Sequence, residues 1–351
     1  MVTVEEGKAK IILDGVFYNP RMRFCRDLDV LIFSSIDSKE ILDSLAASGI
    51  RGIRAALEAK KMPKFNDIDK KAVEVIKKNL EINGIDAEVY NCDANKLFRE
   101  KKFEHVDVDP FGSPAIFIES ACFSAKKYLS ITATDTAALC GSSTSSGLRK
   151  YSAFAVKTDT HHETGLRILL GFIARQATKI DKAIIPIASW TFEHCYRVHL
   201  ALKRSSSAVS RIYEKIGYIF YCKSCNAKVV KGFGEVLENC RCGGKFTQIG
   251  PLWIGEIKDK DVVSKAVKIA TGKARKFLTI ILDEVDVATS YDVQRVAQKL
   301  KISTPPIQSV VEKLRGLGFK ASRSHYCGNC VKTDASLDDL SEIVTSLSHQ
   351  V

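Results

Sequence analysis

From residue 41 onward, short apolar runs alternate with longer stretches whose apolar residues recur at helical spacing. The runs "EILDSLA" (40–46), "KFNDID" (64–69), "DAEVYNCDA" (86–94), "FEHVDVDPF" (103–111) and "YLSITATDT" (128–136) predict strands. The stretches "GIRGIRAALEAKK" (49–61), "KKAVEVIKKNLEING" (70–84) and "PAIFIESACFSAKK" (114–127) predict helices, the second stopped by Asn83-Gly84. Strands alternating with helices of this length predict a parallel sheet covered on both faces. In that doubly wound α/β class, ligands sit beyond the carboxyl ends of the strands.

The flanking pattern differs. Residues 1–40 read as a lead-in segment, with a short strand at "AKIILDG" and helical spacing after Pro20. The stretch 136–162 is rich in Gly and Ser and has no clear period, so it is expected as a long loop, a feature uncommon unless functional. "ETGLRILLGFIARQATK" returns to helix, and "KAIIPIASWTFEHCYRVHLALKR" reads as two adjacent extended runs that lengthen the sheet. "SSSAVSR" (205–211) is a polar break and the expected boundary between a domain at 41–210 and a smaller α+β domain at 211–351. Within the latter, 218–255 holds a cysteine cluster. Three amphipathic segments and a hairpin over 260–335 resemble a winged helix.

Composition narrows the function. With 351 residues, 45% hydrophobic and 27% charged, the chain is ordinary globular material. No apolar run approaches the roughly 20 residues that span a bilayer. "MVTVEEGKAK" lacks the basic and apolar regions of a secretory signal, so a cytoplasmic protein without membrane association is expected. The net charge of +12 favours a polyanionic partner. Its basic residues are spread along the chain, which suits a wide contact surface better than a basic tail. No obligate protein partner is evident.

Acidic residues mark the strand ends: Asp43, with Gly49 and Gly52 in the turn that follows, then Asp67, Asp93 beside Ala94, and Asp109. Each alone is an ordinary helix cap or turn residue. In succession they outline a site for an adenosine moiety, with Asp67 for ribose hydroxyls and Asp93 for the adenine amine. The first turn is neither a full G-x-G-x-x-G nor a P-loop, so S-adenosylmethionine fits better than NAD or ATP. Asp109-Pro110-Phe111-Gly112 then suits an exocyclic amine as the methyl acceptor. A fixed carboxylate and a nearby backbone carbonyl accept its hydrogens, Pro110 stiffens the turn, and Phe111 offers a face to an extruded base.

These residues carry a resemblance. "VFYNPRM" (16–22), "CRD" (25–27), "ASGIRGIRAALE" (47–58), "VDPFGSP" (108–114), "TATDTAALCG" (132–141), "LRKY" (148–151), "HETGLRIL" (162–169), "GPLWIGEIKD" (250–259) and "VVEKLRGLGFKASRSHY" (310–326) resemble the archaeal and eukaryotic tRNA (guanine-26) N2-dimethyltransferases. The resemblance implies a Rossmann-like class I methyltransferase domain and two methyl transfers from S-adenosylmethionine to N2 of guanine 26 in tRNA. It implies Arg26, Arg51, Asp67, Asp93 and Ala94 at the cofactor. It places Asp109 as the catalytic carboxylate, with Pro110 and Phe111 beside the base. His162-Glu163 also matches, but reads from the sequence as a helix N-terminus.

Cys222-x2-Cys225 and Cys240-x-Cys242 suit a closed, structural tetrahedral zinc in a zinc-ribbon-like insert, although the second pair is shorter than the usual C-x2-C. Gly243 and Gly244 supply the tight turn. Cys327-Gly-Asn-Cys330 reads as a hairpin turn with a disulfide rather than a second metal site. Two other functions fit parts of the pattern. One is an amino-methyltransferase acting on DNA adenine or cytosine. The other is a non-catalytic zinc-ribbon and winged-helix protein that binds nucleic acid.

Overall fold

An antiparallel hairpin, β1 (Thr3–Glu6) and β2 (Ala9–Ile12), opens the chain and leads into α1 (Arg23–Ser35). The computed structural model describes residues 3–348. Pro20 stands at the start of the short 3-10 turn before α1, and Asn19 caps that turn by accepting the Arg21 amide. A proline costs nothing there, because the first helical amides have no intrahelical acceptor.

Seven strands build the central sheet: β3 (Glu40–Asp43), β4 (Met62–Asn66), β5 (Val89–Tyr90), β6 (Phe103–Val108), β7 (Ala125–Ala133), β8 (Lys182–Phe192) and β9 (Cys195–Arg204). Their order is β5-β4-β3-β6-β7-β9-β8. The first five run parallel, and β9 is antiparallel to both β7 and β8. Strand order reverses between β3 and β6, which opens a crevice at their carboxyl ends. The connecting helices are α2 (Ile50–Ala59), α3 (Lys70–Ile82), α4 (Ala94–Glu100) and α5 (Ile118–Ser124). The expected helix over 114–127 is therefore shorter at both ends. Its last residues join β7, because Ala125 pairs with Phe103 in the sheet. The expected strand over 86–94 shrinks to two residues at the sheet edge.

The stretch 136–162 is not a featureless loop. It contains α6 (Thr136–Leu139) and α7 (Thr144–Tyr151). In α7 only Gly147 and Tyr151 are buried, so the helix has no apolar stripe to betray its period. α8 (His161–Thr178) follows, buried along most of its length. The polar "SSSAVSR" is also helical, as α9 (Ser206–Ile212), because Ser205 caps it by accepting the Ala208 amide.

β10 (Ile216–Cys222), β11 (Lys228–Gly232) and β12 (Phe246–Trp253) form a second sheet in the order β11-β10-β12. Its inner face joins the main core: Ile216, Ile219, Ile249, Leu252 and Trp253, with Ile212 of α9, cluster with α8 and the central strands. α8 lies so close to β12 that a side-chain carbon on Gly171 would stand 2.9 Å from the Trp253 amide nitrogen. The apolar core thus runs without interruption past residue 211. α10 (Lys260–Ile269) and α11 (Gly272–Asp283) pack with α1 on the opposite side of the sheet.

A separate small core belongs to β13 (Ser290–Asp292), α12 (Val293–Leu300), α13 (Ile307–Gly316), β14 (Ala321–Arg323), β15 (Cys330–Thr333) and α14 (Leu337–Ser348). This unit sets α12, α13 and α14 against the three-stranded sheet β13-β15-β14, whereas α11, the first of the three amphipathic segments expected in it, packs with α1 instead. A disulfide joins Cys327 and Cys330 across the Gly328-Asn329 turn. Glu163 fastens this unit to α8. Its carboxylate takes Arg167 at 3.0 Å and the Ser290 hydroxyl at 2.6 Å, and pairs with Lys332. Burial alone would raise its pKa, but Lys332 and Arg167 outweigh that and hold it down to about 2. The motif His162-Glu163 is therefore partly a structural clamp.

Candidate active site

The carboxyl ends of β3, β4 and β6 frame a cavity of about 860 Å3. The β3–α2 turn contributes Leu45 and, after it, the small residues Ala46, Ala47 and Ser48, which bring the backbone to the wall. Gly49 ends this turn at φ +78°, a conformation that disfavours any side chain. A side-chain carbon on Gly52, one helical turn later, would meet the Phe65 ring at 2.4 Å. Both glycines therefore let α2 start against the sheet, at the edge of the cavity.

Arg26, Asp43, Arg51, Asp67, Asp109, Pro110 and Phe111 all line this space. Asp67 accepts the Ala47 amide at 2.8 Å and the Asp69 amide at 3.0 Å, which locks its carboxylate at the rim. Asp93 and Ala94 are not brought to the wall. Asp93 caps α4 by accepting the Lys96 amide at 3.0 Å, and Ala94 is buried beneath it. Asp43 accepts the Gly52 amide at 3.0 Å. Burial and the neighbouring Asp107 push its carboxyl up to about 8, so it is largely protonated at neutral pH.

Asp109 stands just beyond β6 and pairs with Arg51. Burial would raise its pKa, but the guanidiniums of Arg51 and Arg197 prevail and hold it below the ordinary value. Arg51 also pairs with Asp29 of α1 and lies 3.7 Å from Asp107. Behind them Arg197 of β9 donates to Asp29 at 2.8 Å and to the Thr132 hydroxyl at 3.0 Å, and pairs with Asp107. Arg197 is 1% exposed and Asp107 is fully buried. No local pattern in the chain announces this lattice. Its one signal was a cation inside the apolar alternation of "CYRVHLAL", where a buried strand face admits a charge only with partners.

Arg26 has a similar support. Glu6, from the opening hairpin, takes its Nε at 2.7 Å and Nη2 at 2.6 Å. Glu6 also accepts from Arg54 at 2.8 Å and from the Tyr18 hydroxyl at 2.8 Å. Burial works against its charge, but these partners lower its pKa to about 2. Nη1 of Arg26 has no protein acceptor among the described residues, so it can meet a ligand carboxylate.

The cavity mouth is aromatic. Phe111 is 89% exposed, and Phe17 stands edge-on to it with ring centroids 5.9 Å apart. Exposed aromatic rings facing a cavity are available for stacking a flat ligand. Phe192, Glu193 and His194, at the tip of the β8–β9 hairpin, close another side. Neither Phe17 nor this tip was identifiable from local pattern.

Away from this site, Cys222, Cys225, Cys240 and Cys242 converge at the end of the second sheet. Their sulfurs all lie within 4.8 Å of one another. Two of the separations are 3.6 Å, close to the roughly 3.8 Å edge of a tetrahedron with zinc–sulfur bonds of about 2.3 Å. Gly243, at φ +83°, makes the turn that lets the short C-x-C pair face the other two cysteines. The group could hold a metal ion.

Residues 1–345 match the family described as N2,N2-dimethylguanosine tRNA methyltransferase. A relative from Archaeoglobus fulgidus, named tRNA (guanine(26)-N(2))-dimethyltransferase, is 57% identical over 98% of both chains. A protein of the same name from Methanospirillum hungatei is 39% identical over 94% of this chain and 92% of its own. Among solved structures, Trm1 from Pyrococcus horikoshii in complex with S-adenosyl-L-methionine superposes with a TM-score of 0.90 at 34% identity. The match covers 98% of this chain and all of that one.

Proposed function

The chain belongs to the N2,N2-dimethylguanosine tRNA methyltransferase family, and we propose that the cavity between β3, β4 and β6 performs this family's reaction with Asp109 as its catalytic carboxylate. The activity is dimethylation of N2 of guanine 26 in tRNA, with S-adenosylmethionine as donor. The DNA-directed and non-catalytic readings find no support in the comparisons.

S-adenosylmethionine supplies an electrophilic methyl group when bound. The cavity fits it: its volume lies in the usual range for such ligands, and its wall offers acceptors and donors of the right kinds. In the proposal Arg26, through Nη1, meets the donor's carboxylate. Arg51 lines the same space, and Asp67 accepts from the ribose hydroxyls. Asp93 and Ala94 follow β5, one strand beyond Asp67, and do not line the cavity, so the proposal gives them no contact with the donor.

The N2 lone pair of guanine is delocalised into the ring, so the chain must localise it. In the proposal Asp109 Oδ1, the oxygen that Arg51 does not engage, accepts an N2 hydrogen, and the Pro110 carbonyl accepts the other. Asp109 then takes the proton that N2 must release. Guanine N2 has two hydrogens, so the same exchange can occur twice and no more. Phe111, braced edge-on by Phe17, stacks the extruded base. The observation that carries this reading is the pairing of Asp109 with Arg51, which keeps the carboxylate ionised at the cavity wall.

Incubation with labelled S-adenosylmethionine and unmodified tRNA, followed by nucleoside digestion, is expected to place label on N2 of guanine 26. Label elsewhere, or none, rejects the proposal. The net charge of +12 suits a tRNA substrate, and a cytoplasmic setting is part of the same reading. No helix of the described residues is long and apolar enough to cross a membrane.

We further propose that the four clustered cysteines hold a structural zinc, with no open position for water. Purified protein is expected to carry one zinc per chain by elemental analysis. Cys240→Ala is expected to lose that zinc and to unfold at lower denaturant. Equal metal content in both proteins would reject the site.

A further inference from the structure

Ser113 closes the same turn that carries Asp109, and it also lines the cavity. The turn is pinned on both sides. Gly112 donates its amide to the Thr134 hydroxyl at 2.9 Å, and the Thr134 amide donates back to the Gly112 carbonyl at 2.9 Å. Beyond it, the Ser113 hydroxyl lies 2.9 Å from the hydroxyl of Tyr151, the last residue of α7. Tyr151 is fully buried, and its hydroxyl donates to Asp135 at 2.6 Å. Lys150 holds the other oxygen of Asp135 at 3.1 Å.

This chain of contacts has a direction. A tyrosine hydroxyl carries one hydrogen, and here it goes to a carboxylate that can only accept. Tyr151 must therefore accept from Ser113, so the single hydroxyl hydrogen of Ser113 points away from the cavity. Burial and Asp135 both raise the Tyr151 pKa, which keeps that phenol a donor. Ser113 Oγ also accepts the Ala115 amide at 3.4 Å, so what it presents to the cavity is its one remaining lone pair. It can take a hydrogen bond from a ligand but cannot give one.

Guanine carries two neighbouring donors on its pairing edge, the N1–H and the N2 amine. Adenine, and 2,6-diaminopurine, carry an unprotonated N1 there instead. We propose that Ser113 is a specificity residue whose hydroxyl oxygen accepts the N1–H of the target guanine, with Tyr151 and Asp135 as positioning residues that fix its polarity. The assignment rests on Asp109 engaging N2. A base with a lone pair at N1 would face the remaining Ser113 lone pair, an unpaired and repulsive contact in a partly desolvated site. Selection against such bases follows from a hydrogen-bond direction set by residues that never touch the substrate.

The test uses the full chain and tRNA with either guanine or 2,6-diaminopurine at position 26. Both bases have the 2-amino group, and kcat/KM for labelled methyl transfer is compared between them. The parent enzyme is expected to favour guanine by roughly 10- to 100-fold. Ser113→Ala is expected to reduce that preference to within about threefold, mainly by losing rate on guanine. Tyr151→Phe keeps the packing and frees the Ser113 hydrogen, so its rate on 2,6-diaminopurine is expected to rise. An equal parental rate on both bases overturns the inference, as does a full preference surviving in Ser113→Ala. If Tyr151→Phe does not fold, Ser113→Ala still decides, because Ser113 is only partly buried. No transfer to guanine by the parent would reject the Asp109 reading itself, a result distinct from transfer without preference.

Discussion

Asp109→Asn is expected to lower kcat for guanine 26 by about 10²- to 10⁴-fold, the usual share of a positioned proton acceptor. Asparagine keeps the shape of the side chain and its place beyond β6. It cannot take a proton, and its amide group competes with the base amine as a donor. Single-turnover methyl transfer measures the loss. Affinity for S-adenosylmethionine, measured by calorimetry, is expected to stay within about tenfold, because Arg26 and Asp67 are untouched. Turnover within a few-fold of the parent would remove Asp109 from the reaction. The pH profile is a second check. Asp109 has a lowered pKa, so its active, ionised form persists above that value and is lost only as pH falls through it. The acidic limb of kcat should therefore lie below the ordinary aspartate value of about 3.9, or be hidden by unfolding. A limb between pH 5 and 7 that disappears in Asp109→Asn would contradict the electrostatics of the site.

Arg197→Met is expected to cost about 3–5 kcal/mol of folding stability, the range for removing one partner of a buried ion pair. Methionine fills most of the arginine volume, so the cavity contribution is small. What remains is electrostatic. Asp29 and Asp107 are both buried, and each would lose the donor it meets through Arg197. Arg51 would be left to balance Asp29, Asp107 and Asp109 together. His199 lies 3.0 Å from Asp29, but burial lowers its pKa well below the ordinary value, so it does not replace the charge. Urea unfolding monitored by intrinsic fluorescence gives the stability. A loss below about 1 kcal/mol would mean that the lattice is far more hydrated than its burial implies. The same variant removes one of the two cations that lower the Asp109 pKa, so the acidic limb of kcat should move upward.

The parts of this site that follow from local pattern are those where a residue's role depends on near neighbours. Strand β6 ends where the apolar alternation meets Pro110, so Asp109 could be placed at a sheet rim from ten residues of sequence. Gly49 and Gly52 announced a close turn after β3 in the same way. The paired cysteines could be grouped because each knuckle is self-contained and the spacer is hairpin-length. Conversely, α6 is only four residues long, too short to show a period, and α7, which buries only Gly147 and Tyr151, has no periodic apolar face. The polar run at 205–211 resembled a linker because it is a capped surface helix, while the core passes beneath it through Ile212 and Trp253.

The supports of Asp109 and Arg26 are of another kind. Asp29 and Arg197 are 168 residues apart, and Glu6 reaches Arg54 across 48. In the linear chain each is simply a charged residue, which the physics of hydration would leave on the surface. Folding reverses that preference only by bringing opposite charges to hydrogen-bonding distance as water is withdrawn, and no local period records such a meeting. The alternating strands, the acidic rim and the thiol knuckles were therefore written in neighbouring residues. The ionisation of Asp109, the orientation of Arg26 and the polarity of Ser113 came from partners delivered by the folded chain, because an electrostatic environment is a property of three-dimensional proximity.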